Sequence, residues 1–150
     1  LGLSIPPLAF SDSFLNHLAL NDQPEPGVLD TLRKLSENHT IAILTNGLSQ
    51  LQRPRLEHSV LKPYINYHII AQELGVSKPK PEYYARAMEI IGCTDPNRVL
   101  MTGDSLSADI GGALNFGIDA CWYNPRGLEN SSPNVPTYEI RHMSELLKIV

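Results

Sequence analysis

The sequence predicts an α/β protein built on a parallel sheet, and three observations support this prediction. Short apolar runs typical of buried strands alternate along the chain with amphipathic stretches at helical spacing. Clusters of proline, glycine and asparagine separate these elements. Several apolar runs end in polar residues, as expected where parallel strands deliver side chains to the ligand-binding edge of a sheet. The alternation implies right-handed crossovers and therefore a Rossmann-like sheet with flanking helices.

The first 22 residues are predicted to form a helical element of their own. An apolar stripe at helical spacing runs through residues 3–20 and consists of Phe10, Phe14, Leu15 and Leu18. Residues 23–27, Gln-Pro-Glu-Pro-Gly, then break the helix. This break is either a hinge between two units, 1–22 and 23–150, or a simple turn between two helices.

After the break, the predicted elements alternate in a regular order. Strands are expected at residues 40–44, 66–70, 99–103 and 118–122. Helices are expected at 28–37, 48–58 and 82–91, after Ser105, and from Ser144 onward. Residues 71–75 are expected to form a turn, and Pro54 to delay or kink the second of these helices.

The apolar run that ends in Gly103-Asp104 predicts a carboxylate at the tip of a buried strand. Ser105 or Ser107 would cap the following helix, which places Asp109 in its first turn. Two carboxylates that face one pocket repel each other unless they hold a cation such as Mg²⁺. In the alternative interpretation, Asp104 is a turn residue and Asp109 only complements the helix dipole.

Two further stretches supply groups that suit an anion. Thr45-Asn46-Gly47 follows a predicted strand, so the Thr45 hydroxyl and the backbone N–H groups of Asn46 and Gly47 would form an anion site, although these residues also make a good turn. Lys78 stands in Ser-Lys-Pro-Lys-Pro, where proline-stiffened neighbours would aim its ammonium group. Taken alone, a lysine is more often simply solvated.

Composition and charge exclude several classes of protein. The net charge is −4 and no run of Lys or Arg occurs, which argues against a nucleic-acid partner or an anionic membrane surface. No apolar stretch approaches the roughly 20 residues that span a bilayer. The two cysteines, Cys93 and Cys121, show no metal or redox spacing. We therefore expect a cytoplasmic setting.

The order and spacing of these motifs resemble the haloacid dehalogenase superfamily of phosphohydrolases. The resemblance consists of strand-Thr-Asn-Gly, then Lys-Pro-x-Pro, then apolar strand-Gly-Asp-Ser-x-x-x-Asp, and it covers about residues 24–150. Local matches at residues 48–55 and 120–122 are most similar to the nucleotidase branch, which acts on pyrimidine nucleotides.

The resemblance implies a role for each matched residue. Thr45 and Lys78 would be catalytic and would bind phosphate together with Asn46 and Gly47. Asp104 would bind Mg²⁺, and Asp109 would bind it directly or through water, or hold the loop. The implied substrate is a small phosphate monoester, plausibly a nucleotide.

One motif of the family has no counterpart here. The family's first strand ends in Asp-x-Asp and supplies the nucleophile, but no such strand occurs in these residues. The chain is therefore expected to start inside the family's cap, with residues 1–22 as the remnant of a helical cap and 23–150 as a partial core. That core would need the missing N-terminal segment, or a partner chain, between the strands that end at Thr45 and Asp104.

Two alternatives remain open at this point. One is a dehalogenase of the same superfamily, although a metal-free displacement of halide does not need the carboxylates Asp104 and Asp109. The other is a catalytically dead module that keeps the phosphate site and regulates or binds. Without the missing segment, the 150 residues alone are expected to be inactive.

Overall fold

The computed structural model describes residues 23–150, and the predicted cap helix within residues 1–22 lies outside them. In the described part, the strands are β1 (Ala42–Thr45), β2 (Tyr67–Ile70), β3 (Leu100–Gly103), β4 (Asp119–Tyr123) and β5 (Tyr138–Ile140). The α-helices there are α1 (Val28–Leu35), α2 (Ser49–His58), α3 (Ala71–Leu74), α4 (Pro81–Ile91) and α5 (Gly112–Phe116). Single turns of 3-10 helix occupy Lys62–Tyr64 and Pro96–Arg98, a longer one covers Met143–Lys148, and Leu106–Gly111 is π-helical.

Helix boundaries follow local backbone chemistry. Helix α1 begins after Gly27, whose φ of +83° suits glycine, and the buried Thr31 hydroxyl donates to the Gly27 carbonyl at 2.7 Å. Helix α4 begins with Pro81, where the missing N–H has no intrahelical partner to lose, and ends at Gly92 in the left-handed region.

The strands form two parallel sheets, which confirms the predicted α/β class. Strand β1 pairs with β2, with Ala42 opposite Tyr67 and Thr45 opposite Ile70. Strands β3, β4 and β5 form the second sheet in that order, with Leu100 opposite Asp119. Within residues 23–150, no strand pairs with β1 and β3 on the sides where these two face each other.

A trough of about 1420 Å³ separates the two sheets. Its walls include residues 41–44 of the β1 side and 99–103 of the β3 side, and Lys78, Asp104 and Asp109 lie among its lining residues. We call this space the inter-sheet trough. The trough thus lies between β1 and β3.

The structure differs from the sequence-based expectations in several places, among them the helix expected from Ser144, which is the 3-10 segment Met143–Lys148. Residues 71–75, expected to be a turn, contain the short helix α3, and β5 is a fifth strand that we had not predicted. Pro54 does not delay the start of α2, which runs from Ser49 through Pro54 to His58. The helix capped by Ser105 starts as a π-helix, with the Ser105 hydroxyl accepting from Ala108 N at 3.1 Å.

The core lies between the sheets and α4. Tyr83 packs with Ile69 and Ala71 on the β1–β2 side, whereas Tyr84 packs with Ile110 and Trp122 on the other side. None of the helices described in residues 23–150 is long and apolar enough to cross a membrane.

Candidate active site

The candidate site lies at the carboxyl ends of β1 and β3. Thr45 is the last residue of β1, Asp104 directly follows β3, and Lys78 reaches between them from the loop before α4. Lys78 Nζ contacts both the Leu44 carbonyl of β1 and Asp109, which follows β3, so the carboxyl ends of the two strands lie close together, as the sequence predicted. The contacts below show which of the predicted residues actually touch.

Lys78 and Asp109 form a buried ion pair. Lys78 Nζ lies 2.6 Å from Asp109 Oδ1, and the two side chains are only 9% and 8% exposed. Lys78 Nζ also donates to the Leu44 carbonyl oxygen at 2.8 Å. An ammonium group has three N–H donors, so one remains for a ligand once these two contacts are made.

The Leu44 carbonyl shows where this ammonium group lies. The N–H and C=O groups of a strand point alternately to its two sides, and the Ile41 carbonyl of this chain accepts from Tyr67 N on the β2 side. The Leu44 carbonyl, three residues later, therefore points away from β2 and into the inter-sheet trough. Lys78 Nζ consequently closes the carboxyl end of that trough.

Asn46 fixes the backbone of Lys78 through two reciprocal hydrogen bonds. Asn46 Nδ2 donates to the Lys78 carbonyl, and Lys78 N donates to Asn46 Oδ1, both at 3.0 Å. The resemblance had implied mainly a backbone role for Asn46. Its amide side chain instead links the end of β1 to the loop that carries the lysine.

Thr45 is half-buried, and its side chain stabilises the turn that follows β1. Gly47 N donates to Thr45 Oγ1 at 3.0 Å, which leaves the Thr45 hydroxyl proton available to another acceptor. Phosphate binding by the Thr45 hydroxyl is compatible with this geometry. The Gly47 N–H that was predicted to bind phosphate therefore donates within the turn.

Asp104 and Asp109 occupy different environments. Asp104 is exposed, and Trp122 Nε1 donates to its backbone carbonyl at 3.1 Å. Asp109 is buried, and its second oxygen, Oδ2, accepts from Ser105 N at 3.0 Å. The direct contacts of Asp109 thus hold the loop and the lysine, which corresponds to one of the three roles expected for it.

The oxygen donors present suit a hard cation, because Mg²⁺ prefers carboxylates and water. No group of three or more His, Cys, Asp or Glu side chains that could enclose a metal occurs among residues 23–150. Asp104 and Asp109 could therefore hold Mg²⁺ only together with water, substrate oxygens or groups from outside these residues.

Two glycines allow the loops of the site to approach each other closely. A Cβ at Gly103 would lie 2.3 Å from Asp109 Oδ2, and a Cβ at Gly112 would lie 2.9 Å from the Pro79 Cα. Any larger residue would therefore displace Asp109 or the Lys78-Pro79 segment.

Comparison with known proteins supports the motif assignment. Pyrimidine 5'-nucleotidase YjjG of Escherichia coli is 35% identical over 148 residues, which cover 99% of this chain and 66% of YjjG. A magnesium-bound structure of YfnB from Bacillus subtilis has a TM-score of 0.88 at 33% identity, covering 99% of this chain and 65% of that one. A 2-haloacid dehalogenase structure from Pseudomonas syringae has a TM-score of 0.82 at 29% identity, covering 95% of this chain and 60% of that one.

The chain therefore spans slightly less than two thirds of the length of these relatives. The family model for haloacid dehalogenase-like hydrolases matches residues 6–117, which is most of the chain. Motifs, fold and comparisons agree, and the chain belongs to the haloacid dehalogenase-like hydrolase family.

Proposed function

We propose that these residues form the phosphate-binding and metal-binding part of a Mg²⁺-dependent phosphatase that hydrolyses small phosphate monoesters, with pyrimidine nucleotides as its first candidate substrates. The observation that carries the proposal is the buried Lys78 ammonium group, held at the mouth of the inter-sheet trough with one N–H donor left. The similarity to a pyrimidine 5'-nucleotidase supports the choice of substrate.

The proposal includes a strand that occupies the inter-sheet trough and brings the nucleophile. Among the residues that the structure describes, no strand pairs with β1 and β3 on the sides that face this space, and a parallel strand would satisfy both. Its carboxyl end would lie beside Lys78 Nζ, Thr45 and Asp104. We propose that this strand is a segment N-terminal to Leu1 and that it ends in the nucleophilic aspartate.

In phosphoryl transfer, the added strand would supply the nucleophile, and the described residues would bind the phosphate and the metal. The carboxylate on the added strand attacks phosphorus, the alcohol departs, and water later hydrolyses the aspartyl-phosphate. The Lys78 ammonium and the Thr45 hydroxyl bind phosphate oxygens, which neutralises and orients the group in transfer. Asp104, with Asp109 directly or through water, would hold Mg²⁺, which when bound offsets phosphate charge.

Two other functions remain testable alternatives. The similarity to a 2-haloacid dehalogenase favours carbon–halogen cleavage as the second candidate. A phosphate-binding module without a nucleophile is the third. Against the dehalogenase stands the exposed Asp104 carboxylate at the strand tip, which displacement of halide does not need. A cytoplasmic setting, without nucleic-acid or membrane partners, also belongs to this proposal.

The test compares substrates on one protein. We define the strand-complete protein as residues 1–150 together with the segment encoded upstream of Leu1. It would be assayed with pyrimidine nucleoside monophosphates, with p-nitrophenyl phosphate and with 2-chloropropionate, each with Mg²⁺ and with EDTA. Phosphate release that EDTA abolishes supports the proposal. Halide release without metal favours the dehalogenase, and vanadate binding without any turnover favours the module.

A further inference from the structure

We propose that Tyr83 and Tyr84, adjacent on α4, are positioning residues that set the distance between the two halves of the candidate active site. Tyr83 would fix the end of β1, which carries Thr45. Tyr84 would fix the π-helical segment, which carries Asp109. This inference rests on the proposed function, because it assigns the phosphate-binding half to one tyrosine and the metal-binding half to the other.

The two hydroxyl groups bind backbone carbonyls of the site itself. Tyr83 Oη donates to the Ile69 carbonyl at 2.9 Å and lies 3.4 Å from the Thr45 carbonyl. Tyr84 Oη donates to the Ala108 carbonyl at 2.6 Å and lies 3.4 Å from the Asp109 carbonyl. Each tyrosine thus contacts the backbone carbonyl of one predicted site residue, either Thr45 or Asp109. Each also contacts the carbonyl of a second residue in the same half of the site.

Successive residues of a helix point about 100° apart, which explains how one helical turn serves both halves. The two rings are perpendicular, with centroids 5.9 Å apart. Tyr83 belongs to the cluster of buried residues that includes Ile69, and Tyr84 to the cluster that includes Ile110 and Trp122. Helix α4 therefore connects the β1–β2 sheet to the other sheet, although no ladder hydrogen bonds join them within residues 23–150.

The hydroxyl groups of the two tyrosines, more than their rings, determine which backbone carbonyl each side chain contacts. Tyr83 is 0% exposed and Tyr84 1%. A buried hydroxyl is unfavourable unless it is hydrogen-bonded, so each ring orientation is coupled to its carbonyl partner. Burial raises the pKa of Tyr83 to about 12 and raises the pKa of Tyr84 as well. Both hydroxyls therefore stay protonated and act as donors near neutral pH.

The test uses Tyr83→Phe and Tyr84→Phe in the strand-complete protein, because phenylalanine keeps the ring and removes only the hydroxyl. Tyr138→Phe, at a position that is 40% exposed, is the matched control. We expect Tyr83→Phe to weaken vanadate binding about three- to tenfold with little change in Mg²⁺ affinity. Tyr84→Phe should weaken Mg²⁺ binding by a similar factor and, because Asp109 also pairs with Lys78, should weaken vanadate binding to a smaller extent. The control should change neither affinity.

A second measurement separates this inference from the proposed function. Hydrogen exchange should show faster exchange in residues 45–48 for Tyr83→Phe and in residues 105–110 for Tyr84→Phe. If the unmutated protein binds neither vanadate nor Mg²⁺, the proposed function fails, and exchange alone decides the role of the tyrosines. The positioning role would be overturned if each variant only lowered the overall stability, left the ratio of vanadate affinity to Mg²⁺ affinity unchanged, and showed no faster hydrogen exchange in its own segment.

Discussion

Lys78 Nζ lies 2.6 Å from Asp109 Oδ1, and this contact joins two loops that are 31 residues apart in the sequence. Both side chains are more than nine-tenths buried. A buried charge without a partner is costly, so each residue depends on the other for its place in the fold. The same pair aims the remaining N–H of Lys78 at the mouth of the inter-sheet trough.

Removal of Lys78 alone should therefore be more damaging than neutralisation of the whole pair. We expect Lys78→Met to destabilise the strand-complete protein by about 3–5 kcal/mol, because Asp109 is left buried and unpaired. Addition of Asp109→Asn should restore a large part of this loss. Urea unfolding of both single variants and the double variant measures the coupling free energy. Strictly additive losses would show that the pair has no special role.

The same variants separate stability from anion binding. Lys78→Met/Asp109→Asn should fold yet bind vanadate more weakly by about 1.5–3 kcal/mol, the scale of a hydrogen bond to a charged group. Calorimetric titration with vanadate provides the measurement. Unchanged vanadate affinity in a folded double variant would mean that Lys78 is structural only.

Gly112→Ala should disturb the site, whereas its neighbour Gly111→Ala should not. A Cβ at Gly112 meets the Pro79 Cα at 2.9 Å and the Tyr84 hydroxyl at 2.4 Å, so the Lys78 loop must shift. The three atoms nearest to a Cβ at Gly111 belong to the Asn134 side chain, which can move without shifting the main chain of the Lys78 loop. We expect Gly112→Ala to reduce vanadate affinity about tenfold and stability by about 1–3 kcal/mol. Equal effects of the two variants on vanadate binding would contradict this explanation.

Asp104→Asn should remove most of the Mg²⁺ dependence and activity and leave the fold intact. The Asp104 side chain is exposed, so its neutralisation opens no cavity and breaks no buried pair. Calorimetry with Mg²⁺ tests the assignment, with the unfolding midpoint as the control for folding. A variant that binds Mg²⁺ as tightly as the unmutated protein would exclude Asp104 as a ligand.

The buried environment of His68 on β2 should make the stability of the protein depend on pH. Its Nδ1 atom is buried and has no hydrogen-bond partner within residues 23–150. Burial, and secondarily the nearby Arg53, lower the pKa of His68, against the opposing charges of Glu73 and Glu57.

The sign of this dependence follows from linkage. Because the His68 pKa is lower in the folded state, the unfolded state binds more protons below the ordinary histidine pKa of about 6.5. Stability should therefore be fully present above that pH and fall as the pH is lowered through it. We expect His68→Gln to reduce this slope between pH 7.5 and 5.5 in chemical unfolding experiments. An identical slope in the variant would rule out His68 as the source.

The sequence predicted the elements that local chemistry controls. The apolar strands, a helix start within one residue of Pro81, and Ser105 as one of two candidate caps were correctly predicted because each depends on neighbouring residues. The order of Thr45, Lys78 and Asp104 along the chain also sufficed to place them at one sheet edge.

The contacts across the sequence were not predictable in the same way. The hydrogen bonds of Asn46 to Lys78 and of Tyr84 to Ala108 join segments 32 and 24 residues apart. Asparagine after a strand favours a turn, and tyrosine on a helix favours the core, so neither residue type indicates its distant partner. Strand β5 was missed because it is only three residues long and follows a long polar loop.

The central claim is that the inter-sheet trough receives a strand that carries the nucleophile. Within residues 23–150, β1 and β3 are partly buried and have no strand on the sides that face each other. An unpaired backbone group costs up to about 1–3 kcal/mol when it is buried, and a typical domain stability is about 5–15 kcal/mol, so these two edges should weaken the fold. The most direct measurement is the thermal melt and phosphatase assay of residues 1–150, with and without the upstream segment. We expect a cooperative monomeric melt and turnover only when the segment is present. Cooperative monomeric unfolding together with turnover in its absence would contradict both the strand and the mechanism.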